Sequence, residues 1–359
     1  MAKNTGLEIR DVVTDATGLR PARPQALRPR RLERLLLPGR CMPPARKILP
    51  FLCMLLLGTF CRGAGTPLVV QLDWVPSVTF AGVLVAKDKG WYEQAGLDVS
   101  IRQIDLQAMA TSVGPVLKGP NVIGIADGLV LLNARADHKP LKAFATMLQA
   151  SPLCIMALRQ GPIRTFRDLA GRKIGLHSYD HIQLGLMLAH NHMSLSDITE
   201  VDIGDDLTSL IEGKIDAQVA YSTDEPVAIE LKGHPTIVFP GYENGFVAYA
   251  QVYYTTEEFF RRRPDTLVSF LEVTNRGWRE AFAHKKETAG MVVDVFMKKN
   301  GDPVYQERAL GEVERFATLE SASLGSMRIS TWEKSCEVFN LPKSLVGGLV
   351  DLSIIDQLK

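Results

Sequence analysis

Across 359 residues the chain carries 41 lysines and arginines against 40 aspartates and glutamates, a formal net charge of +1, with 46% hydrophobic residues. Nothing in that balance argues for nucleic acid or an acidic surface as a partner, and it places the chain among ordinary globular proteins. The length suggests two domains once a leader is removed. Residues 1–41 are rich in Arg and Pro and hold no apolar period, so they are expected to be disordered and to derive from an upstream start, with translation beginning at Met42. Met42 to Lys47 reads as a basic n-region and Ile48 to Phe60 as an apolar core of secretory length, too short to span a membrane as a mature helix. Residues 42–65 are therefore expected to be a signal peptide cleaved after Gly63 or Gly65, which sends the protein to the periplasm. Lipid attachment at Cys61 is the alternative, disfavoured by the bulky Phe60 before it. Two cysteines remain in the mature chain; Cys154, inside an apolar run, reads as a small buried hydrophobe, and a disulfide to Cys336 is possible but not required.

The mature chain opens on a βαβ unit. Leu68 to Leu72 has the length of a buried strand, and Asp73-Trp74-Val75-Pro76 forces a loop. A helix with Phe80, Val83 and Leu84 at helical spacing follows, Gly90 stops it, and Gly96 turns the chain into a strand from Leu97. The pattern then predicts a helix over 106–117, a strand over 122–126, a helix over 129–136, and strands over 141–148 and 153–158, the last two flanking a first crossing between lobes. The second half repeats this outline: a strand over 173–176, a helix from 178 or 180 to 192, a strand over 199–203, a helix over 207–212, a strand over 215–221, and a helix starting at Ser222 to Pro226. Residues 248–254 read as the strand that crosses back. Leu267, Phe270, Leu271, Thr274 and Trp278 form one stripe of an amphipathic helix, and three or four further helices follow from residue 285. Alternating strands and helices imply an α/β fold of parallel-rich sheets flanked by helices. Two such lobes, residues 66–150 with 250–359 and residues 151–249, would be hinged by two crossing segments around a ligand cleft.

The pattern Leu72-Asp73-Trp74 followed by Ala86-Lys-Asp-Lys-Gly90-Trp-Tyr-Glu-Gln-Ala-Gly-Leu-Asp98 resembles the periplasmic substrate-binding proteins of ABC importers. The group it is most similar to includes the yeast thiamine-pyrimidine synthases, the bacterial pyrimidine-precursor binding proteins, and the alkanesulfonate and nitrate binders. The resemblance runs from about Val69 to about Ala289. It implies a two-lobed, type II-like periplasmic-binding-protein fold, a small-molecule ligand, a permease partner in the inner membrane and a monomeric chain.

Candidate ligand contacts stand where strands end and helices begin. Trp74 could stack on a flat heterocycle or pack in the core, and the loop position leaves both open. Asp127 suits a helix cap, with the cleft as its alternative setting. His177 and Tyr179 open a helix whose free amides would suit an anion; His177 and His181 are four apart, but no third ligand follows at metal-site spacing, so no metal is expected. Tyr221, Asp224 and Glu225 form the most informative group, because two adjacent acids exceed what capping needs and would accept hydrogen bonds from an exocyclic amine or a protonated ring nitrogen. The resemblance to pyrimidine binders in the block Lys214 to Pro226 points the same way. Tyr249 and Tyr253, at the return crossing, are further candidates, with sheet packing the favoured role.

Two functions compete: a secreted solute receptor for an aminopyrimidine-like heterocycle, and an enzyme resembling the yeast synthases. The synthase chemistry needs a Schiff-base lysine and a sacrificial histidine. The corresponding segment, Gly124 to Arg135, holds neither, with Ala126 and Val130 approximately at those places, and the cysteine-rich block expected near Gly245 to Tyr253 holds no cysteine. No cofactor and no catalytic residue is therefore expected. The acids Asp73, Asp127, Asp224 and Glu225 argue against a sulfonate or nitrate ligand.

Overall fold

A computed structural model describes residues 65–105, 111–177, 180–204, 207–319 and 323–358. The expectations for residues 1–64, the start of the helix expected at 106, and Tyr179 lie outside these residues. The strands are β1 Thr66–Gln71, β2 Leu97–Arg102, β3 Val122–Ala126, β4 Leu141–Leu148, β5 Leu153–Leu158, β6 Lys173–Leu176, β7 Thr199–Asp202, β8 Ala217–Tyr221, β9 Thr236–Pro240 and β10 Ala250–Thr256. They form two five-stranded sheets, in the orders β2-β1-β3-β10-β4 and β7-β6-β8-β5-β9. In each sheet four strands are parallel and the fourth in order, β10 or β5, runs against them. The two sheets are thus topological copies, and the equivalent links β4–β5 and β9–β10 are the crossings between lobes.

Helices cover both faces of the first sheet, as β1 shows: Leu68, Val70 and Leu72 join a core with helices Ala81–Asp88, Pro264–Ala283 and Pro303–Ala317, while Val69 packs against the cluster containing Leu131, Trp332 and Leu349. The expected stripe Leu267, Phe270, Leu271, Thr274 and Trp278 is buried along the longest helix. That helix meets helix Ala81–Asp88 at a crossing of two glycines: a β-carbon on Gly277 would lie 2.0 Å from the Gly82 carbonyl oxygen. Above the crossing, the Trp278 Nε1–H donates to the Tyr253 hydroxyl at 3.1 Å, and the Tyr92 and Thr274 hydroxyls share a hydrogen bond of 2.6 Å.

Several boundaries differ from the sequence reading. β9 went unread because Pro235 and Pro240 bracket it; it is an edge strand, paired only to β5, where proline removes no ladder bond from a second neighbour. The helix expected over 106–117 is helical over Val113–Lys118 among the described residues. Strand β10 begins two residues later than expected, and inside it Gln251 adopts φ 54°, an uncommon conformation for a residue with a side chain.

Cys154 and Cys336 are both buried and free. Burial pushes the Cys154 thiol up to about 12. Neither is expected to react with a thiol reagent in the native protein. Peptide mapping after labelling should find both unmodified until denaturant is added; modification of Cys154 in the native state would contradict its burial.

Candidate functional site

β1 and β3 are neighbouring parallel strands, and so are β6 and β8. In such sheets ligands sit beyond the carboxyl ends of the strands. At those ends the chain places acids: Asp73 after β1, Asp127 after β3, Asp180 after β6, and Asp224 and Glu225 after β8. Trp74, beside Asp73, is 54% exposed, so its ring is open to a stacking partner and takes no part in the core.

On the first sheet, Asp127 precedes helix Gly128–Ala136 in extended backbone, and its side chain makes no cap hydrogen bond. Instead the Gln251 backbone N–H donates to it, which ties the acid to the irregular point in β10. Burial pushes its carboxyl up to about 6, the Gln251 hydrogen bond opposing. Asp73 is also raised, by burial and then by the charge of Asp127, and its Oδ1 is buried without a hydrogen-bond partner.

The second sheet repeats the arrangement. Asp180 is 3% exposed, its Oδ1 has no hydrogen-bond partner, and burial pushes it up to about 6, with His177 opposing the rise. Glu225 accepts the Tyr221 backbone N–H at 2.7 Å on Oε2. Burial pushes it up to about 7, with the charges of Asp224 and Asp180 adding to the rise. Asp224 is raised by burial; its Oδ2 accepts the Thr223 hydroxyl at 2.8 Å and its Oδ1 the Tyr305 hydroxyl at 3.0 Å. Among the described residues no lysine or arginine forms an ion pair with any of these five acids.

Helix Pro303–Ala317 joins the two groups. Next to Tyr305, Gln306 accepts the Val78 backbone N–H at 3.0 Å, just beyond the Trp74 loop. Val78 and Asp224 are thereby brought to the same helix turn. Of the residues singled out in the sequence, Trp74, Asp127, His177, Tyr221, Asp224 and Glu225 all stand at these strand ends. Tyr249 and Tyr253 are buried, as read, and the Tyr249 hydroxyl accepts the Arg328 N–H at 2.9 Å. His181 turns to Glu200, Nδ1 to Oε1 2.9 Å. Asp180, Tyr305, Gln306 and Gln251 were missed; Asp180 stood at an expected helix start and Gln251 in the expected crossing strand.

The two copied sheets, with acids gathered at the carboxyl ends of their parallel strands, define a periplasmic-binding-protein fold. The alkanesulfonate-binding protein SsuA from Xanthomonas axonopodis pv. citri, solved with MOPS, has the same architecture, with a TM-score of 0.61 at 17% identity over 81% of this chain and 100% of that one. The NMT1/THI5-like family model matches residues 77–288, more than half the chain, and the chain belongs to that family. Among curated relatives, the riboflavin-binding protein RibY of Chloroflexus aurantiacus is 24% identical over 252 residues, 68% of this chain and 70% of that protein. The 4-amino-5-hydroxymethyl-2-methylpyrimidine phosphate synthase THI13 of Saccharomyces cerevisiae is 24% identical over 250 residues, 66% of this chain and 73% of that protein.

Proposed function

We propose that the protein is a secreted receptor that captures a small nitrogen heterocycle, of aminopyrimidine type, between its two sheets and delivers it as a monomer to an ABC permease in the inner membrane. Residues 42–65 would direct its export to the periplasm and be removed. The observation that carries the reading is the set of five acids at the strand ends, none of them ion-paired to a lysine or arginine among the described residues, with the exposed Trp74 next to Asp73. Carboxyl groups that burial holds near neutrality are suited to a ligand that brings N–H donors, because the donors recover the electrostatic cost of ionising them. Trp74 would stack on the ring, and Glu225, held by the Tyr221 backbone N–H, would accept from an exocyclic amine or a protonated ring nitrogen. Asp127 and Asp73 would meet the opposite edge, and His177, Tyr179 and Tyr221 would frame the second sheet's side. A sulfonate or nitrate would add negative charge to this group.

The receptor reading is preferred to a pyrimidine-synthase reading because Gly124 to Arg135 holds no lysine or histidine to form a Schiff base or be consumed. The test is thermal unfolding of the purified protein with an aminopyrimidine thiamine precursor, thiamine, riboflavin, taurine and nitrate in turn. A ligand at about a hundred times its Kd stabilises the folded state by about 2.7 kcal/mol, which raises the midpoint by roughly 5–10 °C. The shift is expected with an aminopyrimidine and is expected to vanish in Trp74→Ala and Glu225→Gln. A shift with taurine or nitrate alone would remove the heterocycle assignment.

A further inference from the structure

Helix Pro303–Ala317 contacts the protein differently at its two ends. Its carboxyl end sits at both crossings: the Gln149 backbone N–H, from the β4–β5 link, donates to the Phe316 carbonyl at 3.0 Å, and the Tyr242 ring, from the β9–β10 link, meets the Phe316 ring edge-on at 5.9 Å. Its amino end sits at the rim of the site. There Gln306, 3% exposed, holds the Val78 N–H of the first lobe, and the Tyr305 hydroxyl reaches Asp224 of the second. Ala309, Leu310, Val313, Phe316 and Ala317 are buried in the first lobe's core, so the helix moves with that lobe.

We propose that Tyr305 is a positioning residue that latches the two lobes closed over the site through Asp224, with the helix as a lever pivoting beside the crossings. The proposal rests on the cleft between the two sheets being the binding site. Eleven residues separate Tyr305 from Phe316, about 16 Å of helix at 1.5 Å per residue. A rotation of about 10° at the crossings therefore moves the rim by about 3 Å, enough to lose a hydrogen bond of ordinary length. Opening thus has to break the Tyr305–Asp224 contact early, whereas the buried Gln306–Val78 contact lies inside one lobe and survives. Both Asp224 oxygens already accept protein hydroxyls, from Thr223 and Tyr305, one on each side of the latch, so Asp224 reports closure.

The experiment needs no ligand, which separates its failure from a wrong ligand assignment. Exposed Lys139 in the first lobe and Lys232 in the second are replaced by cysteine and spin-labelled in the full chain, with Cys41, Cys53 and Cys61 replaced by serine and the native Cys154 and Cys336 being buried. Label-to-label distances are then measured with Tyr305, with Tyr305→Phe and with Gln306→Ala. Tyr305→Phe keeps the ring and removes only the hydroxyl. It is expected to add or enlarge a population several ångströms longer, while Gln306→Ala leaves the distances as they were. Identical distributions with and without the Tyr305 hydroxyl would overturn the latch, and so would an equal lengthening in Gln306→Ala, which would mark general loosening of the helix.

Discussion

Gly277→Ala is expected to be the most damaging glycine-to-alanine change among the described residues, costing about 3 kcal/mol or more. The added carbon would meet the Gly82 carbonyl oxygen at 2.0 Å, the Gly82 carbonyl carbon at 2.9 Å and the Ala86 β-carbon at 3.2 Å. Two of those three atoms are backbone, so no rotamer change relieves the clash. Neither helix can simply withdraw, because Gly82 has its own neighbour: a β-carbon there would fall 2.2 Å from the Trp278 ring. That ring is fully buried and hydrogen-bonded to Tyr253. The control is Gly311→Ala, in helix Pro303–Ala317, where a β-carbon meets nothing within 4 Å and helix propensity favours alanine by up to about 1 kcal/mol. Urea unfolding midpoints should fall for the first and hold or rise for the second. Equal midpoints would mean that the helices do not cross this closely.

The second large effect is on pH. The ligand-free protein is expected to be more stable at pH 5 than at pH 8. Unfolded, Asp127 and Asp180 release their protons near 3.8 and Glu225 near 4.5; folded, burial holds them to about 6, about 6 and about 7. Between the two sets of values the folded state binds more protons than the unfolded one, so stability falls as pH rises through that window and is lowest above about pH 7. Glu225 accounts for roughly 1–2 kcal/mol of the fall, after discounting for its partial exposure. Glu225→Gln should therefore flatten the profile between pH 5 and 8 and raise the midpoint at pH 8. Glu337, exposed and held down to about 2 by hydrogen bonds from Lys343 and Lys334, provides the contrast. Its Gln variant should leave the slope between pH 5 and 8 unchanged. A wild-type midpoint that rises from pH 5 to pH 8 would show that the acids are solvated rather than buried.

Much of the frame was legible in the sequence, because buried strands announce themselves by composition. Runs 141–148, 153–158 and 173–176 coincide with β4, β5 and β6. Four of the five acids were visible as well, since a polar residue between a β-branched run and a helical period marks the strand end where such folds bind ligands; Asp180 read only as a helix start. What each acid does was less legible. Asp127 has the sequence of a cap but faces a backbone N–H from a strand more than 120 residues later, and no local pattern encodes that meeting. Tyr305 was invisible for the same reason: it lies in the first turn of an amphipathic helix, 81 residues from the aspartate it contacts. β9 was hidden by its prolines, whose cost depends on whether a strand has one neighbour or two.

The place of β10 has a consequence for how the chain is made. Sheet β7-β6-β8-β5-β9 uses one continuous stretch, residues 153–240, but the other sheet needs β10 between β3 and β4, and β10 starts about a hundred residues after β4 ends. Emerging amino end first at about 5–20 residues per second, the first lobe waits roughly 5–20 s with two unpaired strand edges facing a gap. For that interval it is an unclosed chain, open to a chaperone, and the later-made lobe is the one that can fold first.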